Sequence, residues 1–502
     1  MAQHLAFGIS VLLLAIASSY FIQQFFKCPV EHRSNSEKVA ERTSWLCSGN
    51  VSTDRVCRFK NLCYSSRLDK FVAIGVSSTE EKSLMKSELG EALSLTSVVD
   101  MKYTCDIVSS SASAIQNGKV KIKFMDGKYL IFARFVEGNL GHFIHDEMIP
   151  IYQTLFLHHK AWNPGAITLM LFDRGDVGTF RDLYSTFTDN PILQKVDLSF
   201  EEDNTITCFE DAIVGLSKET VWFKYDFVSP EGPVMNTTAT WEHINNFTEH
   251  VRARLAIYPN CNGDDFGIIF RRKTNRIIVN EDEIIRAISE EFGLKIIATS
   301  LEENSLTDLI EKASCAKLMI GVHGALLMLM IFLQPQSVVL ELFPYGIIPD
   351  YKSQYKTLAS LPGSNIEYVR WRNMDETNTV THPENERYFG GIAHLQKETQ
   401  NKIIESSEVS PKKRLSNPEW RFRLYQDTIV DIPAITKLLG GTYLRKGTQT
   451  RKDQSRFFDL IGSVYVFTVR AVKQLMSKTS PNSQLNTNRK RALKTTVITY
   501  GN

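Results

Sequence analysis

Residues 317–345 have the sequence KLMIGVHGALLMLMIFLQPQSVVLELFPY, in which apolar segments are separated by a His-Gly-Ala turn and a Gln-Pro-Gln break. The pattern predicts a buried strand at 317–322, a turn at 323–325, a helix at 326–333 and a second strand at 337–343. This order of elements is typical of a parallel sheet, because parallel neighbours need a crossover connection. The stretch therefore predicts an α/β fold.

Polar residues lie where these two strands end. They are His323, Gly324, Glu341 and Tyr345. Parallel sheets bind their ligands at the carboxyl ends of the strands, so this cluster favours a nucleotide or nucleotide-sugar site. The alternative is an ordinary core unit in which the backbone satisfies His323.

The same alternation of strands and helices occurs along much of the chain. Further strands are predicted at 128–135, 166–172, 211–215, 266–270, 295–299 and 368–373. Helices are predicted from His142 onward and at 241–255, 281–292, 305–316 and 417–439. We expect Pro150 to kink the first helix and Pro433 to break the last, because proline lacks the donor that a helix interior needs. The rhythm predicts parallel strands joined by right-handed crossovers.

The charge of the chain is small but unevenly distributed. The net charge is +2, and the tail from Gly441 onward has 12 Lys and Arg against 2 Asp and Glu, which leaves +2 − 10 = −8 for the rest. A mildly acidic body is not typical of a nucleic-acid-binding protein. The tail is also rich in Ser, Thr and Asn, and we expect it to be partly disordered.

An apolar segment of 18 residues at 5–22, LAFGISVLLLAIASSYFI, is just long enough to span a membrane. We expect an uncleaved anchor. The alternative is a cleaved signal peptide, because Ala15-Ile16-Ala17 resembles a cleavage site. Either an anchor or a signal peptide would place the rest of the chain in the secretory lumen. Two further features agree with that compartment: glycosylation sequons at Asn50, Asn236 and Asn246, and an even number of 8 cysteines, which fits disulfides.

Four cations in six residues, Arg271, Arg272, Lys273 and Arg276, follow the predicted strand at 266–270. A diphosphate leaving group needs such positive, multidentate donors. We therefore expect this segment to bind phosphate. The alternative is a solvated basic turn.

A second cluster, NLGHFIHDE, occupies residues 139–147. His142 and His145 are three residues apart and are expected to share a helix face, with Asn139 or Gly141 near the N-cap. The carboxylate of Asp146 or the imidazole of His145 would act as general base on an acceptor hydroxyl. The alternative is that the acids complement the helix dipole. The spacing is not that of a zinc site, and no metal is expected.

Several motifs together resemble the family 61 glycosyltransferases. They include GNLGHFIHDEMIPIYQTL, FRRKTNRIIVNEDE, GVHGALLMLMIFL, VVLELFPY, YVRWRN and NPEWRFRLYQDT. The resemblance covers residues 128–439, in order. It implies a GT-B architecture, in which two Rossmann-like lobes face each other across a cleft, and a single-pass type II protein of the endoplasmic reticulum membrane.

The resemblance also implies an activity. It would be the inverting transfer of N-acetylglucosamine from UDP-N-acetylglucosamine, in β1,4 linkage, to O-linked mannose of proteins such as α-dystroglycan. GT-B enzymes usually stabilise the leaving diphosphate without a metal. Two alternatives within the family are transfer of N-acetylglucosamine to EGF-like domains and transfer of xylose. A third is a lumenal binding protein without catalysis.

Matched motifs imply roles for individual residues. Arg272 and Arg276 would face the diphosphate. The residues that would line the nucleotide-sugar site are His323, Gly324 and Glu341. From the other lobe, the cleft would be lined by Arg134, Asn139, His142, His145 and Asp146. Two positions depart from the family pattern: Glu147 replaces an aspartate, and Leu326 replaces a glutamine that would offer a polar contact.

The predicted organisation has five parts. They are an N-terminus with anchor at 1–26, a stem at 27–60, an N-terminal Rossmann-like lobe at 61–250, a nucleotide-sugar-binding lobe at 251–439 and a basic tail at 440–502. The resembling enzymes continue into a fibronectin type III domain. The tail here has no tryptophan and few strand signals, so we do not expect it to form that sandwich.

Overall fold

A computed structural model describes residues 42–49, 55–76, 92–98, 103–110, 121–158, 163–198, 205–225, 231–261, 263, 265–410 and 417–444. The chain divides into two compact units, Met1–Leu438 and Leu439–Asn502. The fold described below is that of the first unit.

The larger sheet has nine strands of mixed direction within the described residues. They are β1 (Ser44–Ser48), β2 (Val56–Ser65), β3 (Lys70–Ile74), β4 (Ala92–Ser94), β5 (Thr104–Ser110), β6 (Lys121–Phe132), β7 (Ile167–Leu171), β8 (Leu193–Gln194) and β9 (Thr205–Val214). The order is β4-β5-β3-β2-β9-β6-β7-β8, with β1 paired to β2. The block β9-β6-β7-β8 is parallel, whereas β2 is antiparallel to β1, β3 and β9.

Two disulfides join neighbouring strands of this sheet. Cys47–Cys57 links directly opposite residues of β1 and β2, and Cys63–Cys208 links opposite residues of β2 and β9. A third disulfide is Cys261–Cys315, while Cys105 is a buried free thiol. The predicted disulfide chemistry is thus present in the described residues. Within the segment 27–60, for which a stem is predicted, β1 pairs with β2 and β2 pairs with β9, so these strands belong to the sheet.

The smaller sheet contains the stretch from which the α/β prediction began. Its strands are β12 (Phe266–Phe270), β13 (Lys295–Thr299), β14 (Leu318–Val322), β15 (Val338–Phe343) and β16 (Glu367–Arg372). The order is β13-β12-β14-β15-β16, and every pairing is parallel. The prediction of an α/β fold with a parallel sheet is confirmed. Two small antiparallel pairs complete the strands: β10 (Phe223–Lys224) with β11 (Gly232–Pro233), and β17 (Thr379–Val380) with β18 (Asp427–Thr428).

The helices follow the sequence signals for their ends. The α-helices are Leu140–His142, Ile149–His158, Trp241–Arg254, Glu281–Phe292, Leu306–Cys315, Gln354–Ala359, Lys397–Glu405, Pro418–Leu424 and Ile432–Leu439. Short 3-10 helices are Pro164–Ala166, Arg181–Thr186, Lys195–Leu198, Ala325–Phe332, Pro349–Tyr351, Glu376–Asn378 and Arg387–Phe389. Ser305 and Asp308 form a capping box at one helix start.

The predicted helix at 417–439 is instead two helices separated by β18. Pro433 does not break it, since Pro433 is the second residue of the helix Ile432–Leu439. Proline is tolerated in the first turn, where its missing N–H would have no partner.

A π-helix, Phe143–Met148, lies between Leu140–His142 and Ile149–His158. Pro150 explains part of this irregularity, because it has no N–H to donate to the carbonyl of Asp146 four residues earlier. That carbonyl accepts instead from the hydroxyl of Ser97, at 2.6 Å. A π-helical turn inside a helix is frequently found at functional sites.

One continuous apolar cluster joins the two sheets through the elements packed between them. It includes Phe132, Leu169, Phe247, Ile268 and Leu327. Among the described residues, no helix combines the length and apolar character needed to cross a membrane. The predicted anchor at 5–22 lies outside the described residues.

Candidate active site

A cavity of about 470 Å³ lies at the carboxyl ends of β12 and β14. Its other wall is the segment that begins the helix at Leu140–His142. Gly141 and Ala325 approach closely here, since a Cβ on Gly141 would lie 3.7 Å from the Cβ of Ala325. The volume is within the usual range for small-molecule and cofactor sites.

Of the four cations that follow β12, two pair with carboxylates and two do not. Arg271 pairs with Glu281 at 2.5 Å, and Lys273 pairs with Glu303 at 2.9 Å. Arg272 and Arg276 line the cavity, and neither forms a salt bridge with a carboxylate of the described residues. The uncompensated positive charge of the segment therefore lies in the cavity.

Both guanidinium groups are positioned by uncharged acceptors. Arg272 donates through Nε to the carbonyl of Asn275 at 3.0 Å, and Arg276 donates through Nη1 to the carbonyl of His323 at 2.8 Å. The Arg276 guanidinium also lies 5.0 Å from the ring centre of Tyr425. Burial and the neighbouring Arg272 lower the pKa of Arg276 to about 10, so it remains charged at neutral pH. Two adjacent cations without carboxylate partners form a site for an anion.

Two features of the backbone accommodate Arg276: its own left-handed conformation and the glycine at position 324. Arg276 itself has a φ of 56°, in the left-handed region that costs a non-glycine residue on the order of 1–2 kcal/mol. A Cβ on Gly324 would lie 2.9 Å from Nη1 of Arg276. Glycine at 324 therefore leaves the space that this guanidinium occupies, and backbone strain of this kind is concentrated at functional sites.

The opposite wall presents His142, whose side chain is 16% exposed. Asn139 caps this helix by accepting from the backbone of Gly141 at 2.9 Å. Nδ1 of His142 lies 2.6 Å from one oxygen of Asp146, and Nδ1 of His145 lies 2.5 Å from the other. Burial raises the pKa of Asp146, but its two imidazole neighbours outweigh burial and hold the pKa below its usual value. Asp146 is thus a buried carboxylate that orients His142.

The structure brings six of the ten predicted site residues to the cavity wall. They are Asn139, His142, Arg272, Arg276, His323 and Gly324. The other four lie behind that wall: Arg134, His145, Asp146 and Glu341 are all buried. His142 and His145 both contact the carboxylate of Asp146 and the ring of Tyr225, but only His142 lines the cavity.

Arg134 and Glu341 do not line the cavity as predicted. The guanidinium of Arg134 binds Asp173 through two hydrogen bonds of 3.0 and 2.6 Å, so its charge is already compensated. Glu341 has no exposed surface, and one of its oxygens lies 2.6 Å from Nδ1 of His323. Both side chains therefore bind neighbouring residues and do not line the cavity.

Sequence reasoning assigned no role to several cavity residues. Tyr225, Gln354, Tyr355, Trp420 and Tyr425 line the cavity. Tyr355 donates its hydroxyl to the carbonyl of Gly324 at 2.6 Å. Trp420 and Tyr425 belong to the NPEWRFRLYQDT motif, but only chain folding brings them to β12.

Comparison with known proteins identifies the family of this chain. Residues 140–340 match the family model described as Glycosyltransferase 61. Relatives named protein O-linked-mannose beta-1,4-N-acetylglucosaminyltransferase 2 align over most of the chain. The Takifugu rubripes protein is 34% identical over 79% of this chain and 69% of its own length. The Canis lupus familiaris protein is 36% identical (78% and 68%), and the Homo sapiens protein is 35% identical (79% and 68%). The chain belongs to glycosyltransferase family 61.

In this family 61 chain, the region matched by the family model includes His142 on one wall of the cavity and Arg272, Arg276, His323 and Gly324 on the other. Across the described residues, no three His, Cys, Asp or Glu side chains are grouped so as to hold a metal ion. Four cations line the cavity, of which Arg271 and Lys352 are paired with carboxylates and Arg272 and Arg276 form no salt bridge with a carboxylate of the described residues.

Glu147, which replaces the expected aspartate, lies beneath the site and accepts from the hydroxyl of Tyr184 at 2.7 Å. Burial raises the pKa of Glu147 to about 8, from 4.5 for an ordinary glutamate. Between these two values the folded chain holds a proton that the unfolded chain has lost. This contribution to stability is present below about pH 4.5 and is lost as the pH rises toward 8.

We expect Glu147→Gln to flatten the pH dependence of unfolding, because an amide cannot ionise yet still accepts from Tyr184. Glu147 contributes a slope of at most about 1.4 kcal/mol per pH unit. Denaturant unfolding at pH 5.5, 6.5 and 7.5 measures the slope, with the exposed Glu290→Gln as control. Equal slopes in the wild type and Glu147→Gln would show that Glu147 is ionised in the folded state.

Proposed function

We propose that this protein transfers N-acetylglucosamine from UDP-N-acetylglucosamine to O-linked mannose of a protein, forming a β1,4 linkage with inversion. The observation that carries the proposal is the cavity itself. It places two arginines without carboxylate partners on one wall and an imidazole oriented by a buried carboxylate on the other. The names of the relatives supply the sugar and the acceptor.

Arg272 and Arg276 would bind the diphosphate of the donor. As the bond between the sugar C1 and the phosphate oxygen breaks, negative charge grows on the departing UDP. Fixed cations in the cavity would stabilise this charge more strongly in the transition state than in the bound donor. Binding energy from both arginines would therefore appear in the rate of transfer as well as in affinity.

His142 would act as the general base. Its Nδ1 is held by Asp146, so Nε2 is the nitrogen left to accept the proton of the mannose 4-hydroxyl as that oxygen attacks C1. Asp146 would stabilise the imidazolium that forms. Sequence reasoning gave the role of base to Asp146 or His145. Their positions behind the wall favour His142 as base, with Asp146 as its positioning residue.

The two sheets with the cavity at their edges support a GT-B arrangement of two Rossmann-like lobes. We also propose that the body lies in the lumen of the endoplasmic reticulum, behind an N-terminal type II anchor. The side chains of Asn236 and Asn246, two of the three sequons, are exposed and open to glycosylation. The third sequon, Asn50, lies outside the described residues.

A transfer assay with the full chain tests this function. UDP-N-acetylglucosamine and a synthetic O-mannosyl peptide should give a product that β-N-acetylhexosaminidase cleaves. The matched control is the same peptide without mannose, and an EGF-like domain and UDP-xylose test the two sister activities. Transfer to the EGF-like domain alone, or from UDP-xylose alone, would replace this proposal with that activity. UDP binding without any transfer would support a lumenal binding protein.

A further inference from the structure

Tyr225 directly follows β10 and lines the cavity beside His142. The centres of the Tyr225 ring and the His142 imidazole are 4.4 Å apart, with 58° between their planes. Phe135 packs against both rings, at 5.0 Å from that of His142 and 6.2 Å from that of Tyr225. The imidazole that would act as base therefore contacts two aromatic rings.

The hydroxyl of Tyr225 contacts the second imidazole that shares the Asp146 carboxylate. It lies 3.0 Å from Nδ1 of His145, and the same nitrogen lies 2.5 Å from Oδ1 of Asp146. The other carboxylate oxygen, Oδ2, lies 2.6 Å from Nδ1 of His142. With the ring contact, these four side chains form a closed cycle, in which no member can rotate without losing a contact. The imidazole of His142 is therefore held both at Nδ1 and at its ring.

His145 gives the hydroxyl of Tyr225 a fixed partner. The side chain of His145 is 1% exposed, and its ring centre lies 4.2 Å from that of Trp222 in an edge-to-face arrangement. Close packing of this kind leaves a side chain little room to change rotamer. Burial holds the pKa of Tyr225 well above its usual value, so the phenol is uncharged at neutral pH. Replacing Tyr225 by phenylalanine therefore removes a hydroxyl without removing a charge.

A second group of contacts holds the strand pair that carries Tyr225. Glu231 directly precedes β11, the antiparallel partner of β10, and forms an ion pair with Lys352. Their side chains are 14% and 16% exposed, and Nζ of Lys352 lies 4.7 Å from the ring centre of Trp420. These three residues also line the cavity. Contacts on two sides thus fix the position of Tyr225 beside His142.

We propose that Tyr225 is a positioning residue for His142, holding the imidazole in the orientation in which Nε2 accepts the proton of the acceptor hydroxyl. This inference rests on the proposed function, because it assumes that His142 is the base. Tyr225 then acts through His142, so its removal should lower kcat. The affinity for UDP should remain nearly unchanged, because Arg272 and Arg276 lie on the opposite wall.

Two variants of the full chain separate the ring of Tyr225 from its hydroxyl. Tyr225→Leu removes both, and kcat on an O-mannosyl peptide should fall roughly 10- to 100-fold, because a misplacement of about 1 Å can cost 10²-fold. Tyr225→Phe keeps the ring packed on His142, and kcat should fall only about two- to tenfold, the equivalent of one hydrogen bond. Calorimetry should give a UDP affinity within about twofold of wild type for both.

A double-mutant cycle with His142→Ala tests whether Tyr225 acts through the imidazole. The kcat of His142→Ala/Tyr225→Leu should equal that of His142→Ala within about twofold, because no imidazole remains to be positioned. A radiolabelled donor keeps these low rates measurable. The matched control is Tyr355→Phe, which removes the hydroxyl that binds the carbonyl of Gly324 on the opposite wall. Its effect on kcat should be the same with and without His142.

Equal losses of kcat from Tyr225→Leu in the wild type and in His142→Ala would overturn the inference, because Tyr225 would then act independently of the imidazole. Full kcat in both Tyr225 variants of an active enzyme would also overturn it and would leave the proposed function intact. If Tyr225→Leu fails to fold, the same cycle with Tyr225→Phe decides by the same criterion. A wild-type chain that transfers no sugar to the mannosyl peptide would instead contradict the proposed function.

Discussion

Replacing His142 by alanine is expected to lower kcat for transfer by roughly 10²- to 10⁴-fold, the usual contribution of a general base. The affinity for UDP should remain nearly unchanged, because the phosphate-binding cations lie on the opposite wall. Asp146→Asn should also lower kcat, since it removes the charge that orients the imidazole and stabilises its protonated form. Steady-state kinetics on an O-mannosyl peptide and calorimetry with UDP give the two quantities.

Added imidazole distinguishes the proposed base from the alternatives. If the ring of His142 takes the proton, imidazole should restore part of the activity of His142→Ala and none of that of Asp146→Asn, in which His142 still occupies its site. A His142→Ala variant with nearly full kcat would return the role of base to Asp146 or His145. Thermal unfolding of each variant checks that the fold is intact.

Arg272→Ala is expected to weaken UDP binding by roughly 10- to 150-fold, the equivalent of one charge-assisted hydrogen bond of about 1.5–3 kcal/mol. Transfer should fall at least as much, because the diphosphate gains charge as the sugar departs. Arg272→Lys should recover part of the loss, since lysine keeps the charge but not the planar fork. Calorimetry with UDP is the measurement.

The matched control is the next residue along the chain. Lys273→Ala removes the same charge from the same segment, but Lys273 is exposed and already paired with Glu303. It should change UDP affinity by about twofold or less, because an exposed ion pair contributes little. Equal losses in Lys273→Ala and Arg272→Ala would mean that the segment acts through its overall field, and the cavity would not be the phosphate site.

The sequence alone was enough to predict the parallel sheet and one edge of the site. Apolar runs such as 318–322 and 338–343 are buried on both faces, and such runs have few alternatives to a central parallel strand. The positions of the cations after β12 and of His323 after β14 follow from this order, since parallel strands end on one edge. These features depend on the secondary structure of short segments, which neighbouring residues in the sequence largely determine.

The larger sheet was predicted less well, because its strand pairing depends on more than local sequence. The strand β2 pairs with its chain neighbours β1 and β3, but it joins the rest of the sheet through β9, which lies far along the chain. Polar residues interrupt both β1 and β2, so local periodicity did not distinguish β1 and the start of β2 from a stem. Pairing, together with the disulfides Cys47–Cys57 and Cys63–Cys208, assigns them to the sheet.

Tertiary structure decided which side chains of each cluster can meet a substrate. Arg272 and Arg276 are free for an anion because Glu281 and Glu303, from other elements, neutralise their neighbours. His142 lines the cavity, whereas Asp146 is buried behind it and contacts the imidazole. Local spacing predicts an ordinary α-helix here, whereas the structure has a π-helix at Phe143–Met148. The hydroxyl of Ser97, which donates to the carbonyl of Asp146, comes from a part of the chain that only folding brings near.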